Sequence, residues 1–502
     1  MARVSGSISL VMTGSVSIAL RVLTVPLYLV WLGEDQYSLY LYMLFLTGFV
    51  ALFNPHVDEA AITRLTEAFA KGETERAWRI QQAFTALTLL IAGVGLVAFA
   101  AMAFLVPVPD HRLAEVWPMF LCFGLAYAGN VLAESLHPVL YAQDKFQQLA
   151  VREFFVSTGG AIAGIGLVWA YRTPVALAAV TALNAVVGYL LLLVITKRLY
   201  PEFRVRPRWI PDINRDLFRI GLRGYLHRAA LMVSTTIDKI LLPHALPMRQ
   251  LAHYHVPAQV PVTLQRMMDP IQNTLRPELT RQGLQGAGQL AESTTRFARI
   301  VLGIACCTVL VPAAFGLPIL LVWLPEGVSM PFGAAVMLAL GVACTLELLH
   351  GVFNMLAYAI GKPHVLVPVS GLNAAATVAF TVPVALAFGV AGVAVQNGLL
   401  FALLLPALLW TIRRHCTPDL DMRDVLRSTA ASMGVGLFYA IAAFTMCHHT
   451  WFRENPWVAL GFGPFFMLAC WFTLRKFGLT PHVHLPKPLR SLEFPDAEKL
   501  AA

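Results

Sequence analysis

The chain has 502 residues, of which 58% are hydrophobic and only 13% are charged, and its mean hydropathy is +0.67. Soluble globular domains are roughly 45–50% apolar and about 25% charged, so this composition excludes a soluble protein. The net charge of +9 indicates basic loops beside a membrane and does not indicate a nucleic-acid binder.

Continuous apolar runs, each long enough for a helix of roughly 20 residues, follow one another along the chain. They predict an all-α polytopic membrane protein of about fourteen spans and exclude a closed β-barrel, whose strands alternate polar and apolar residues. The first six predicted spans are Leu10–Leu32, Tyr37–Phe53, Gln81–Val106, Trp117–Tyr141, Phe154–Trp169 and Val175–Ile195. The other eight are Ile220–Leu242, Leu251–Leu275, Ile300–Leu324, Phe332–Ile360, Val365–Phe388, Val393–Ile412, Ser428–Cys447 and Trp457–Leu474.

The connections between these spans alternate in charge. One set is rich in arginine and lysine, most of all in the segment from Lys197 to Arg219. The other set contains only Arg112, Arg172, Arg249 and Arg453. Because basic loops stay on the cytosolic side, the asymmetry predicts that both chain termini are cytosolic. Two segments on that side, Ala61–Ile80 and Gln143–Phe155, are amphipathic and are predicted to lie on the membrane surface.

An internal repeat links the fourth and tenth predicted spans. Glu134-Ser-Leu-His137 and Glu347-Leu-Leu-His350 end these spans, and a Tyr-Ala pair and a lysine follow each motif. The repeat predicts two six-helix lobes that are related by an axis along the membrane normal, with the substrate path between them. The predicted units are residues 1–196 and 220–414 for the two lobes, 197–219 for a basic cytosolic connector, 415–474 for two peripheral helices and 475–502 for a cytosolic tail.

Four arginines lie in these apolar segments, where inserting a cation at membrane depth costs about 2.5–3.5 kcal/mol. Arg21 lies about 16 Å into the first span and Arg228 about 12 Å into the seventh, at the helical rise per residue. Arg266 lies deep in the eighth span, and Arg223 lies near the cytosolic mouth. Guanidinium groups bind phosphates through paired charge-assisted hydrogen bonds, so these arginines are predicted to bind an anionic substrate. The open alternative is structural pairing with Glu134, Asp238 or Glu347.

Six further residues are candidates for coupling or gating: Glu134, His137, Asp238, Lys239, Glu347 and His350. Each Glu-x-x-His motif places its two side chains on one helix face, where a proton relay and a counter-ion for the arginines are open alternatives. Asp238 and Lys239 point about 100° apart on a helix, so we expect them not to pair with each other. Two roles are possible for them: a gate at the outer mouth, or a static salt bridge. No metal or other cofactor is predicted, because a di-iron site would need carboxylates from further helices.

Two stretches carry a family resemblance. The first is Asn54-Pro-His-Val-Asp-Glu-Ala-Ala-Ile-Thr-Arg64, followed by Lys71-Gly-Glu. The second is Thr236-Ile-Asp238-Lys239-Ile-Leu-Leu, followed by Leu251-Ala-His-Tyr254-His-Val-Pro-Ala and by Leu275-Arg-Pro277-Glu-Leu. With the two-lobe layout, they resemble the polysaccharide transporter (O-antigen flippase-like) family of the multidrug/oligosaccharidyl-lipid/polysaccharide (MOP) exporter superfamily. Asn54 and His56 stand where that family usually has an aspartate-glycine pair.

The resemblance implies a transporter and not an enzyme. The implied activity is a flippase that moves an anionic lipid-linked oligosaccharide, of the polyprenyl-pyrophosphate type, across the bacterial inner membrane by alternating access. Membrane lipids, and a glycan polymerase or glycosyltransferases, are the implied partners. A cation-coupled multidrug exporter remains open because of Glu134 and Glu347. A membrane glycan polymerase or ligase is disfavoured, because the external loops are short and no nucleotide-binding or esterase motif occurs.

Overall fold

The long apolar runs form helices, since in lipid every backbone N–H and C=O must be bonded within its own segment. A computed structural model describes residues 2–50, 52, 57–105, 113–143, 145–201, 206–268, 279, 287–325, 328, 330 and 332–480. All regular elements among these residues are helical, which confirms the predicted all-α class. Nine helices in this part of the chain are long and apolar enough to cross a membrane, which confirms a polytopic membrane protein. The count of fourteen spans stays a prediction.

The N-terminal half contains seven helices in the described ranges. They are α1 (Ala2–Val50), α2 (Asp58–Ala70), α3 (Thr74–Leu105), α4 (Leu113–Glu134), α5 (His137–Ala142), α6 (Phe146–Tyr171) and α7 (Pro174–Leu199). Helix α1 contains the first two predicted spans, and it bends at Gly33, whose φ of 77° suits glycine better than any residue with a Cβ.

The predicted surface helices take a different form. Helix α2 covers only part of the segment predicted over Ala61–Ile80: it ends at Ala70, and Gly72 with φ of 72° precedes the start of α3. The segment Gln143–Phe155 does not form a helix of its own, because from Phe146 it is the first part of the long helix α6. Both predictions misplaced a boundary, since the amphipathic residues continue directly into an apolar helix.

The N-terminal copy of the Glu-x-x-His motif lies across a helix break. Helix α4 ends at Glu134, a turn of two residues follows, and α5 begins at His137. Pro138 explains the break, because it has no N–H to donate to the carbonyl of Glu134 and its ring clashes with that carbonyl in a continuous helix. Gln81 Nε2 donates to the carbonyl of Ser135 in the turn at 2.6 Å.

The C-terminal half begins with α8 (Pro211–Ala245) and α9 (Gln250–Arg266). The ninth predicted span is divided into α10 (Ala287–Ala305), a π-helical turn (Cys306–Leu310), α11 (Val311–Ala314) and α12 (Gly316–Trp323). Then follow α13 (Gly333–Ala359), α14 (Val367–His415), α15 (Met422–His448), α16 (Thr450–Glu454), α17 (Pro456–Gly461) and α18 (Gly463–Lys476). Helix α14 bends at Gly389, with φ of 65°, into two legs that correspond to the eleventh and twelfth predicted spans.

Each half has its own principal helix contacts. In the N-terminal half, α1 packs along α6 and α4 along α7. In the C-terminal half, α8 and α13 both pack along α14. The halves meet where α1 contacts α8 and α9, and where α2 contacts α8.

Polar contacts join the halves at both ends of this interface. Near the bend of α1, the Glu34 carboxylate lies 2.9 Å from His253 Nε2 on α9. At the other end, the Arg64 guanidinium lies 2.8 Å from Asp216 at the start of α8. Hydrogen bonds first to Glu67 and then to Asp216 raise the pKa of Arg64. The helices that belong to different halves are thus held together at both ends.

Candidate functional site

The four predicted substrate-binding arginines divide into two groups. Arg21 belongs to α1 and Arg223 to α8, but both side chains lie outside the described part of the structure, so their roles remain predictions. Arg228 is described and lines an interior cavity. Arg266 is the last residue of α9, and its side chain is exposed.

A buried polar network surrounds Asp238 on α8. Asp238 is fully buried, and its Oδ2 accepts hydrogen bonds from the Tyr254 hydroxyl on α9 at 2.6 Å and from Asn397 Nδ2 on α14 at 3.1 Å. Asn397 Nδ2 also lies 2.9 Å from the Tyr254 oxygen. Three helices are therefore joined through one carboxylate, which needs these donors because an unpaired buried charge is very costly.

Lys239 completes the network, and this corrects the expectation that it does not pair with Asp238. Its Nζ lies 3.1 Å from Asp238 Oδ1, which also accepts from the Lys239 backbone N–H at 2.9 Å. The two side chains leave the helix in different directions, but the long lysine stem folds back toward its own helix and also reaches the Thr235 carbonyl. The expectation considered only the angle between the two side chains and not the length of the lysine side chain.

Aromatic rings surround the Lys239 ammonium. Its Nζ lies 5.7 Å from the centre of the Phe45 ring on α1 and 5.9 Å from that of Tyr254, within cation–π range. The Phe45 ring also packs edge-on against His255 at 5.0 Å between ring centres. The network therefore lies at the contact between the halves, with α1 supplying one wall.

A cavity of about 280 Å³ lies in the C-terminal half, among α8, α13, α14 and the end of α9. Its polar lining residues are His227, Arg228, Gln265, Glu347, His350, Asn354, Tyr358, Ser370 and Asn373. Leucine, methionine, valine and phenylalanine side chains form the remaining wall. Arg228 and Glu347, predicted for different roles, thus line one space, and that space lies within one half of the chain.

The two histidines of this cavity are both held by hydrogen bonds. His350 Nε2 lies 2.9 Å from the Phe401 carbonyl, and since a carbonyl can only accept, this nitrogen carries the proton and links α13 to α14. His227 Nδ1 lies 3.1 Å from the Ser370 hydroxyl oxygen, which itself donates to the Leu366 carbonyl at 3.0 Å. The remaining nitrogen of His227, Nε2, is buried and has no hydrogen-bond partner among the described residues.

The N-terminal copy of the motif differs from this arrangement. The expectation that Glu134 and His137 share one helix face is wrong, because the turn between α4 and α5 separates them. Within the described ranges, no group of three His, Cys, Asp or Glu side chains could hold a metal ion.

The sequence reading missed the residues that make these sites specific. Tyr254 and Asn397 bond Asp238, whereas Gln265, Asn354 and Asn373 line the cavity. Each amide is an isolated polar residue in an otherwise apolar run, and such residues usually face the bundle interior or a partner. That signal was available for the asparagines of α13 and α14.

A sequence profile of a family described as polysaccharide biosynthesis protein matches residues 71–326, just over half of the chain. The chain belongs to this family. The match confirms the predicted resemblance to a polysaccharide family. No curated protein matches the chain in sequence.

Solved structures show the same fold at low sequence identity. The lipid II flippase MurJ, in an inward-closed conformation, has a TM-score of 0.69 at 11% identity, over 94% of this chain and 99% of that chain. A multidrug resistance transporter of the MATE family, in an inward-facing conformation, has a TM-score of 0.61 at 13% identity, over 82% and 97%. A eukaryotic MATE transporter has a TM-score of 0.54 at 13% identity, over 86% and 100%. These similarities show the fold of this chain and do not identify its substrate.

Proposed function

We propose that the protein is a flippase that moves an anionic lipid-linked oligosaccharide of the polyprenyl-pyrophosphate type across the bacterial inner membrane. The observation that carries the proposal is that a member of a polysaccharide biosynthesis family has an arginine, Arg228, in the lining of a cavity. A pyrophosphate group is strongly disfavoured in apolar lipid, so its passage needs a path lined by cations and hydrogen-bond donors. Arg21, Arg223 and Arg266 are the further proposed substrate-binding residues.

Movement by alternating access requires two units that rock against each other, and we propose the lobes 1–196 and 220–414. In the N-terminal half α1 contacts α6 and α4 contacts α7, and in the C-terminal half α8 and α13 both contact α14. His227 of α8 lies against Ser370 in the first leg of α14, and His350 of α13 bonds Phe401 in the second leg. These parallel contacts support an internal duplication. Residues 197–219 would connect the lobes, 415–474 would form two peripheral helices, and 475–502 would be a cytosolic tail.

The proposed orientation places both chain termini in the cytosol, because the basic connections then face inward. The lipid-linked substrate would enter from the cytosolic side of the inner membrane. A glycan polymerase or glycosyltransferases acting on the same glycan are the proposed protein partners, and membrane lipids surround the bundle.

We also assign the gating residues by proposal. Asp238 and Lys239 are held between α8, α9 and α14, and Phe45 of α1 faces Lys239. A change in the contact between the lobes would therefore alter this network and so affect the C-terminal half. Glu347 and His350 would have the same gating role beside the cavity. Glu134 and His137 would have it at the break between α4 and α5.

A cation-coupled multidrug exporter is the second candidate. The observation that favours it is Glu347, a carboxylate that lines the same cavity as Arg228 and that would suit a cationic drug or a proton. The fold is shared with MATE transporters as well as with MurJ, so the fold does not decide between the two.

Complementation of a strain that lacks the gene tests the proposal. We expect Arg228→Ala to abolish export of surface glycan while the amount of membrane-inserted protein is unchanged. Arg219→Ala is the matched control, because Arg219 lies on the same helix, is exposed and is remote from the cavity lining. Surface glycan is measured by antibody or lectin binding to whole cells, and protein by immunoblot of membranes.

Two outcomes would count against the flippase. Full export by the Arg228→Ala variant would remove the anion-binding role. Efflux of a cationic dye that depends on Glu347, with unchanged surface glycan in the deletion strain, would favour the drug exporter.

A further inference from the structure

Apart from Arg228, the cavity in the C-terminal half has a wall chemistry that suits a neutral sugar ring. It has a volume of about 280 Å³ and contains one guanidinium and one carboxylate, Arg228 and Glu347, so its wall carries little net charge. A doubly charged phosphate would gain from Arg228 and lose to Glu347, whereas a neutral ligand would be repelled by neither.

Hydrogen-bonding groups of both kinds line this space. Asn354 and Asn373 each offer two N–H donors and a carbonyl acceptor, Arg228 adds donors, and Glu347 adds acceptors. Every sugar hydroxyl is both a donor and an acceptor, so a ligand with several hydroxyls can satisfy this mixed set. A purely anionic ligand, which only accepts, would leave the carboxylate without a partner from the ligand.

The apolar part of the wall completes the match. Phe401, Met355 and Leu404 line the same cavity. Ligand sites generally combine a mostly apolar lining with a few placed polar groups, and a sugar ring presents C–H faces as well as hydroxyl edges.

We propose that this cavity binds a neutral, hydroxyl-rich sugar unit, which is a subsite for the glycan part of the substrate; this rests on the proposed flippase function. Asn354 and Asn373 hydrogen-bond the hydroxyls, Glu347 accepts from them, and Arg228 lies where the phosphate-linked end meets the first sugar. The subsite would make transport depend on the sugar as well as on the charge.

The test is direct sugar binding to full-length protein in lipid nanodiscs, measured by saturation-transfer NMR. The probes are glucose, galactose, mannose, N-acetylglucosamine and N-acetylgalactosamine. We expect wild-type protein to give a signal with at least one of them. Asn354→Leu and Asn373→Leu should bind it at least about tenfold more weakly, because each removes a neutral hydrogen-bonding group of nearly the same volume.

Asn184→Leu is the matched control, since Asn184 lies in α7 of the other half, and it should bind as wild type does. Met355→Trp keeps every polar group and fills the cavity, so it should also abolish the signal. Because both asparagines stay in place, this variant tests the cavity even if the asparagine variants misfold. Signals of equal strength in wild type and in all three cavity variants would overturn the proposal, as would no signal from any of the five sugars with wild-type protein.

These outcomes separate the subsite from the function. A protein that exports glycan but binds none of the sugars would disprove the subsite alone. Sugar binding together with full export by the Arg228→Ala variant would disprove the anion role alone.

Discussion

Asp238 and Arg228 lie about 15 Å apart along the same helix, at the helical rise per residue, yet their surroundings differ in kind. Around Asp238, both carboxylate oxygens are bonded, an ammonium lies beside them, and aromatic rings close the space. Around Arg228, polar groups from four helices line an open cavity of about 280 Å³. The comparison teaches that a charge in an apolar helix is held in place where several neighbours bond it, and can bind a ligand where a cavity lies beside it.

The largest effect should come from removing the carboxylate of the closed region. Asp238→Leu removes the buried carboxylate that bonds Tyr254, Asn397 and Lys239, so we expect a loss of about 3–5 kcal/mol in the free energy of unfolding. Heat- or SDS-induced unfolding in nanodiscs measures it. The double variant Asp238→Leu with Lys239→Met should recover much of the loss, because both charges are then gone. A double variant no more stable than Asp238→Leu would contradict a structural ion pair.

A smaller effect should follow from Asn397→Leu in the same network. Asp238 Oδ2 loses one donor but keeps the Tyr254 hydroxyl, so we expect a loss of about 1–3 kcal/mol in the free energy of unfolding. The same unfolding assay applies. A neutral result would mean that Tyr254 and Lys239 alone suffice for the buried carboxylate.

Asn354→Leu makes the same chemical change in the open region and therefore sharpens the comparison. Its amide lines a cavity and has no hydrogen-bond partner among the described residues, so we expect a change within about 1 kcal/mol. The unfolding midpoint of this variant should lie close to that of wild type. A loss as large as that of Asn397→Leu would show that the cavity wall is as tightly coupled as the Asp238 network.

The smallest effect should come from Arg64→Gln at the contact between α2 and α8. The side chains of Arg64 and Asp216 are 33% and 44% exposed, so solvent screens their attraction, and we expect a loss of only about 0.2–1 kcal/mol. The difference between variant and wild-type unfolding should shrink further in high salt. A salt-independent loss above that range would indicate that this pair is a principal lock between the halves.

Much of the fold followed from the sequence, because apolar runs must form helices in lipid. The bends at Gly33 and Gly389 fall between predicted spans, where a change of direction was required. The break after Glu134 could also have been predicted, since Pro138 stands four residues further on. What remained out of reach was side-chain direction: the pairing of Asp238 with Lys239 depends on how a flexible stem bends, and the position of the cavity depends on three-dimensional packing.

The two Glu-x-x-His segments have a mechanical consequence. Where Pro138 interrupts one copy, Gly351 stands in the other, and α13 runs unbroken for 27 residues from Gly333 to Ala359. The C-terminal half thus has a continuous helix where the N-terminal half has a joint between two helices. We expect the two halves to move unequally. The N-terminal half would bend at the break between α4 and α5, whereas α13 of the C-terminal half would move as one rigid helix.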